Sequence, residues 1–202
     1  MCIRDRTISV WLKSNTDKGN YAALFFGTPA NANSVPTNYW LFNPTNPNNL
    51  FKSVFTDADN ETKPWETEAG VAAHDTSVYK NKWVHYTTVL TPDSVEGYVN
   101  GRLIGTAEKT KTVAEFGDVL EAYIGCSNYL NDPDYSGTFQ DLRVYGEALD
   151  AQGVADVYQD TETVTEPIID SLLEDAKGQL DLGELSAVDV YKRQDDICMA
   201  EE

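Results

Sequence analysis

Apolar residues recur at every second position in the first clear element of the chain, TISVWLK, where Ile8, Val10 and Leu12 alternate with Thr7, Ser9 and Trp11. That is the period of a β-strand, in which successive side chains point to opposite faces. YAALFFG (Tyr21–Gly27) is almost continuously apolar, which predicts a strand buried on both faces and stopped by its glycine. Short β-prone runs follow at NYWLFN, LFKSVFT, KWVHYTTVL, VEGYVNG, RLIGTAEK, EAYIG and GTFQDLRVYG. Between them lie clusters such as NPTNPNN (Asn43–Asn49) and NDPDYSG (Asn131–Gly137), rich in the residues that favour turns. Asn100-Gly101 joins two of the runs and predicts a tight hairpin. Many short strands at this spacing predict an all-β sandwich. ALDAQGVADVYQ then predicts one short helix with Asp150 as its N-cap, and the sandwich is expected to end near Asp160.

Beyond it the pattern changes. Residues 161–167 are polar and rich in Thr and Glu, and are expected to be a linker. IIDSLLEDAKGQLDL places Ile168, Ile169, Leu172, Leu173, Ala176 and Leu180 at helical spacing, with nothing left in the chain for that face to pack against. A second module, truncated after residue 188, is the expectation.

The two ends change the reading of the chain. MCIRDR (Met1–Arg6) and DVYKRQ (Asp189–Gln194) both translate from one nucleotide string, GATGTGTATAAGAGACAG, read in two frames. That string resembles the transposon end used in preparing sequencing libraries. Residues 1–6 and 189–202 are therefore expected to be adapter sequence and an unreliable tail, and are set aside from fold reasoning. On this reading Met1 is not a native start, so the lack of a signal peptide carries no information. Cys126 is left as the one dependable cysteine, and no disulfide framework or zinc set can be built.

Charge narrows the partners. The formal net charge is −18, and the chain stays strongly acidic without its two ends. Such a chain repels phosphate backbones, so no nucleic-acid partner is expected. No apolar run approaches the roughly 20 residues of a membrane helix, so no membrane insertion is expected. A hydrophobic content of 41% with 11% aromatic residues suffices for a packed core.

Three pieces of sequence, in order, carry a resemblance. KWVHYTTVL…EGYVNGRLIG is similar to the central signature of laminin G-like domains of the concanavalin A-like lectin/glucanase superfamily, with Trp83, His85, Tyr98, Val99, Asn100, Gly101, Arg102 and Leu103 matching position by position. TISVWLK resembles an early strand of that family, and YIGCSN…YSGTFQDLRVYGEALDAQGVADVY its closing strand and short helix. The resemblance spans about 7–158 and implies a jelly-roll sandwich of two antiparallel sheets. DSLLEDAKGQLDLGELSAV further resembles the start of a small immunoglobulin-like module of bacterial multimodular enzymes. In proteins with that pairing, the neighbour is a family 43 glycoside hydrolase acting on arabinan and related plant polysaccharides.

That superfamily also contains glucanases, so carboxylates matter. A retaining glycosidase needs two of them about 5 Å apart. Glu66 and Glu68 in WETE, and Asp57, Asp59 and Glu61 in DADNE, lack such an arrangement inside an apolar strand, and no catalytic residue is expected. His74 and His85 do not pair by spacing; His85 reads as a packed histidine and Cys126 as an inert thiol. The resemblance implies one structural calcium ion, with Asp141 at the matching acidic position beside Gln140. Asp57 and Asp59 with Asn60 form a second candidate cluster, and Asn131, Asp132 and Asp134 a third.

Sugar recognition calls for aromatic rings against the C–H face of the sugar and polar groups for its hydroxyls. Trp65, Tyr129, Tyr135 and Tyr39 lie in turn-rich sequence flanked by Asn, Asp or Glu, and are the candidates. Plugging the ends of the sandwich is their alternative role. Trp11, Trp40 and Trp83 are expected in the core. The expected whole is a non-catalytic carbohydrate-binding or accessory module of a secreted or surface-bound bacterial glycoside hydrolase, working beside the catalytic domain of its parent. The alternatives are a protein-binding adhesin module and a structural spacer.

Overall fold

The hairpin at Asn100-Gly101 holds the first sheet in register. Both residues take positive φ, 49° and 73°, so the turn matches the twist of its flanking strands. The Asn100 amide oxygen accepts a hydrogen bond from the His85 N–H at 3.0 Å. The Asn100 N–H donates to the His85 carbonyl at 2.8 Å. A Cβ at Gly101 would come within 3.0 Å of the Tyr158 ring. Histidine, asparagine and glycine of the signature are thus fastened to one another and to the closing helix, and their role is architectural.

The computed structural model describes residues 5–16 and 21–160. The expected linker at 161–167, the module start at 168–188 and the segments at 1–4 and 189–202 lie outside the described residues. The described strands run in order β1 Arg6–Ser14, β2 Leu24–Gly27, β3 Tyr39–Asn43, β4 Leu50–Thr56, β5 Glu68–Asp75, β6 Trp83–Leu90, β7 Ser94–Val99, β8 Arg102–Glu108, β9 Glu121–Ile124 and β10 Gly137–Tyr145, followed by helix α1, Ala151–Gln159. They form two five-stranded sheets, ordered β10-β1-β6-β7-β8 and β5-β4-β3-β2-β9. All the strand pairings are antiparallel. This is the expected jelly-roll sandwich.

The core lies between the sheets. Val10 and Leu12 of β1 and Val84 and Tyr86 of β6 meet Trp40 and Phe42 of β3 and Phe51 and Phe55 of β4. Phe51 sits centrally, its ring 5.4 Å from that of Phe42 and 6.0 Å from that of Tyr86. Burying one such side chain contributes about 1.5–3 kcal/mol. Gly97 and Gly105 lie opposite each other in β7 and β8. A Cβ at Gly97 would stand 2.5 Å from the Phe51 ring, and one at Gly105 2.9 Å from Val71. Glycine there makes room for the facing sheet.

The tryptophans expected in the core are buried: Trp11, Trp40 and Trp83. The Trp40 indole N–H donates to Ser53 at 3.0 Å, which resolves its polar handle. Asp150 caps α1 as expected, accepting from the Gly153 N–H at 2.8 Å. The structure differs from the sequence reading at two strands. β2 begins at Leu24 rather than Tyr21. β5, whose EAGVAAHD carries few β-branched or aromatic residues, is formed by pairing with β4 rather than by its own propensity.

Candidate functional site: a cleft over the second sheet

Alternation along β3 and β4 decides what the outer face of the second sheet displays. Trp40 and Phe42 point into the core, so Tyr39, Leu41 and Asn43 point outward. Lys52, Val54 and Thr56 of β4 do likewise; Lys52 lies beside Asn43 in register, and Thr56 beside Glu68 of β5. Two loops reach over this face: the 3₁₀ turn Pro64–Thr67, which carries Trp65, and the loop after β9, which carries Tyr129. They enclose a cleft of about 360 Å³ with Tyr21 at its wall.

Aromatic and ionic groups interlock there. The Trp65 and Tyr129 rings lie 6.2 Å apart. Trp65 is 47% exposed, so part of its ring is free for a ligand. Beneath them Tyr39 is fully buried, its ring edge-on to Tyr129 at 5.5 Å. The Tyr129 hydroxyl donates to the Tyr39 hydroxyl at 2.8 Å, which donates to Glu68 Oε1 at 2.7 Å. Lys52 Nζ meets the other oxygen, Glu68 Oε2, at 2.6 Å. Burial and the Glu68 charge hold the Tyr39 phenol protonated far beyond its ordinary range, and burial does the same for Tyr129. Both remain hydroxyl groups at any working pH.

Asp132 stands in the same cleft, and burial pushes its carboxyl above the usual range against the opposing pull of Lys52. Asn43 lines the cleft too, 6% exposed, with its amide oxygen lacking a hydrogen-bonding partner. The Asn46 oxygen accepts from the N–H groups of Asn48 and Leu50 at 2.8 and 3.0 Å, which fixes the loop that bounds the cleft. Aromatic faces beside amide, ammonium, carboxylate and hydroxyl groups suit a ligand with apolar faces and many hydroxyls. The two glutamates of WETE are engaged separately. Glu66 pairs with Lys63 at 3.0 Å on the surface, while Glu68 is held by Lys52 and Tyr39.

The structure thus brings together Trp65, Tyr129 and Tyr39, the last as a buried support. Tyr135 lies elsewhere. It is 9% exposed in the main core, its ring 5.0 Å from Phe139 and its hydroxyl 3.0 Å from the Ser14 hydroxyl. Burial lifts its phenol to about 12. It is packed into the core, away from the cleft.

Of the carboxylates considered for calcium, Asp57, Asp59 and Asp141 are engaged by other groups. Asp57 accepts from the backbone N–H groups of Thr110 and Lys111. Burial opposes its ionisation, but these bonds win and hold it below the ordinary carboxylate range. Asp59 is bonded to the Lys111 ammonium, and Asp141 pairs with Arg143 at 2.8 Å. Among the described residues no group of three or more His, Cys, Asp or Glu converges to hold a metal ion. Asp57, Asp59 and Asp141 are thus each committed to a partner within the chain. Cys126 is a free thiol, raised in pKa by burial.

Sequence reasoning did not name Tyr21, Lys52 or Asn43; it weighed Asp132 only for calcium and Glu68 only for catalysis. Parity was the available signal for the strand residues: once β3 and β4 are placed, Asn43 and Lys52 share the face of Tyr39. Asp132 and Tyr21 lie in loops, where no periodicity operates.

Among the described residues no helix is long and apolar enough to cross a membrane. A search of curated proteins finds no significant match. Solved structures share the fold. Domain 4 of AbnA, a family 43 extracellular arabinanase from Geobacillus stearothermophilus determined with arabinotriose, is 19% identical at a TM-score of 0.57, over 77% of this chain and 67% of that one. The CBM40 of the Ruminococcus gnavus IT-sialidase, determined with α2,3-sialyllactose, is 13% identical at a TM-score of 0.62, over 77% and 83%. A receptor-binding domain is 16% identical at a TM-score of 0.55, over 79% of this chain but only 36% of that one. At such identities the likeness is one of fold. The family model for laminin G-like domains, described as the concanavalin A-like lectin/glucanases superfamily, matches residues 2–155. The chain belongs to that family.

Proposed function

We propose that this domain is a non-catalytic carbohydrate-binding module and that the cleft over the second sheet is its binding site. The observation that carries the reading is the meeting, in one cleft, of the half-exposed Trp65 ring, the Tyr129 ring and an ordered set of polar groups. Trp65 and Tyr129 stack on sugar rings, while Lys52, Asn43 and Asp132 address hydroxyls. The fold shared with domains crystallised on oligosaccharides supports it. The parent protein, on this proposal, is a secreted bacterial glycoside hydrolase acting on plant polysaccharide of the arabinan type, and the module holds its catalytic domain on that substrate.

Titration calorimetry of the domain with arabinotriose, xylotriose and cellotriose tests the site. Binding of one of them, lost at least about tenfold in Trp65→Ala while the melting temperature is kept, is the expected result. Affinity equal in the two proteins would remove the cleft from the proposal. Unbroken sequencing of the parent gene through both ends of the chain tests the rest: a glycoside hydrolase domain supports it, and a repeat array with a surface anchor overturns it in favour of an adhesin.

A further inference from the structure

Glu68 occupies a position in the cleft that reaches beyond packing. Lys52 is the only cation among the described residues lining the cleft, and its ammonium lies 2.6 Å from Glu68 Oε2. The pair is sheltered, with side-chain exposures of 22% for Lys52 and 13% for Glu68. Glu68 is not free to swing away, because its other oxygen takes the Tyr39 hydroxyl at 2.7 Å. Tyr39 is fully buried and is itself held by Tyr129 at 2.8 Å. Lys52 is therefore neutralised by a carboxylate that the core fixes in place. Asp132 adds a second carboxylate to the cleft, with no second cation to match it among the described residues. The remaining polar lining is uncharged, Asn43 with its unpaired oxygen included.

Resting on the carbohydrate-binding reading, we infer that Glu68 is a specificity-determining residue: by clamping Lys52 it denies that ammonium to acidic sugars, so that the site takes uncharged glycans and rejects chains bearing uronate or sialate. A ligand carboxylate entering the cleft meets an excess negative charge, in surroundings where water screens it poorly. A hydroxyl finds both an ammonium that still has hydrogen atoms to donate and carboxylates that accept. Neutral sugars lose nothing by the clamp, and acidic ones lose their counter-ion. A glutamine at position 68 would still accept from Tyr39 but would carry no charge to hold the ammonium. Lys52 would then be released to pair with a ligand carboxylate, as an unclamped lysine does.

The test compares matched neutral and acidic probes by titration calorimetry at pH 7: galactotriose against trigalacturonate, and lactose against α2,3-sialyllactose. The native domain is expected to favour the neutral member of a pair by roughly tenfold or more. Glu68→Gln is expected to shift the acid-to-neutral affinity ratio toward the acid by about the same factor, with a shift that shrinks as salt is raised. Asp132→Asn, at a carboxyl influenced by burial and the Lys52 charge and by no described side-chain hydrogen bond, should shift the ratio the same way and serves if Glu68→Gln folds poorly. Equal or tighter binding of the acidic probes by the native domain would overturn the inference while leaving the carbohydrate site standing. An unchanged ratio in both folded variants would overturn it as well. No binding of these probes, nor of arabinotriose, xylotriose or cellotriose, would instead sink the carbohydrate reading, and the selectivity with it.

Discussion

The hydroxyl of Tyr129 donates to that of Tyr39 across 2.8 Å, although 90 positions separate the two residues in the chain. Tyr39 passes the contact on to Glu68, which holds Lys52. Removing the middle hydroxyl leaves Glu68 short of a donor and Tyr129 short of an acceptor in a sheltered place. A hydrogen bond to a charged group is worth about 1.5–3 kcal/mol. Tyr39→Phe is therefore expected to cost about 2 kcal/mol in urea unfolding. A loss below about 0.5 kcal/mol, the usual scatter of surface changes, would mean that the chain of bonds adds nothing to stability.

His85 makes stability depend on pH. It is 2% exposed, and burial drives its pKa down to about 4, against Asp141 and with Arg143. The unfolded chain binds a proton there below about 6.5, whereas the folded one stays neutral until about 4. The contribution is fully present above pH 6.5 and is lost as pH falls toward 4, at about 1.4 kcal/mol per unit. Urea unfolding at pH 7 and pH 5.5 should show the native domain losing about 1.4 kcal/mol more than His85→Gln does. Parallel losses in the two proteins would show that another group titrates.

The gap left by Gly97 is filled by Phe51. Gly97→Ala would set a methyl group 2.5 Å from that ring, and both belong to packed sheets. Overpacking of this kind costs about 1–3 kcal/mol. At Gly146 nothing lies within 4 Å of an added Cβ, and Gly146→Ala should change stability by less than about 0.5 kcal/mol. Thermal unfolding of the two variants side by side reads the difference directly.

Asp57 ties the loop after β8 to the end of β4 through the amides of Thr110 and Lys111. Asp57→Ala should cost about 1 kcal/mol, since the bonds are charge-assisted but partly exposed to solvent. With that carboxylate already satisfied, millimolar calcium should leave the melting temperature of the native domain unchanged. A rise of several degrees that Asp57→Ala abolishes would show instead that the carboxylate turns to an ion.

Pattern along the chain was enough for the sandwich. Ile8, Val10 and Leu12 declare a strand with one core face because the side-chain period of a strand is two. Asn100-Gly101 declares its hairpin because few residues other than asparagine and glycine accept positive φ in succession. Asp150 declares the start of the helix because its carboxylate can reach an unpaired amide. These are local causes, and a few neighbouring residues suffice to set their outcome. β5 escaped it because a run such as EAGVAAHD becomes a strand only once β4 offers its edge.

The site was legible only in part for the same reason. An aromatic residue between polar neighbours can stack on a sugar or plug a core, and the sequence at Trp65, Tyr129 and Tyr135 does not distinguish the two. What the fold adds is their placement: the loops of Trp65 and Tyr129 lie over one sheet face, and Tyr135 turns inward against Phe139. Nor does anything near Lys52 in the chain foretell that Glu68 neutralises it: β4 and β5 set Lys52 opposite Ala72 and Glu68 opposite Thr56, and the two charges meet only where their side chains reach toward each other over the sheet face. Local preference sets which elements form, and long-range register sets which side chains meet.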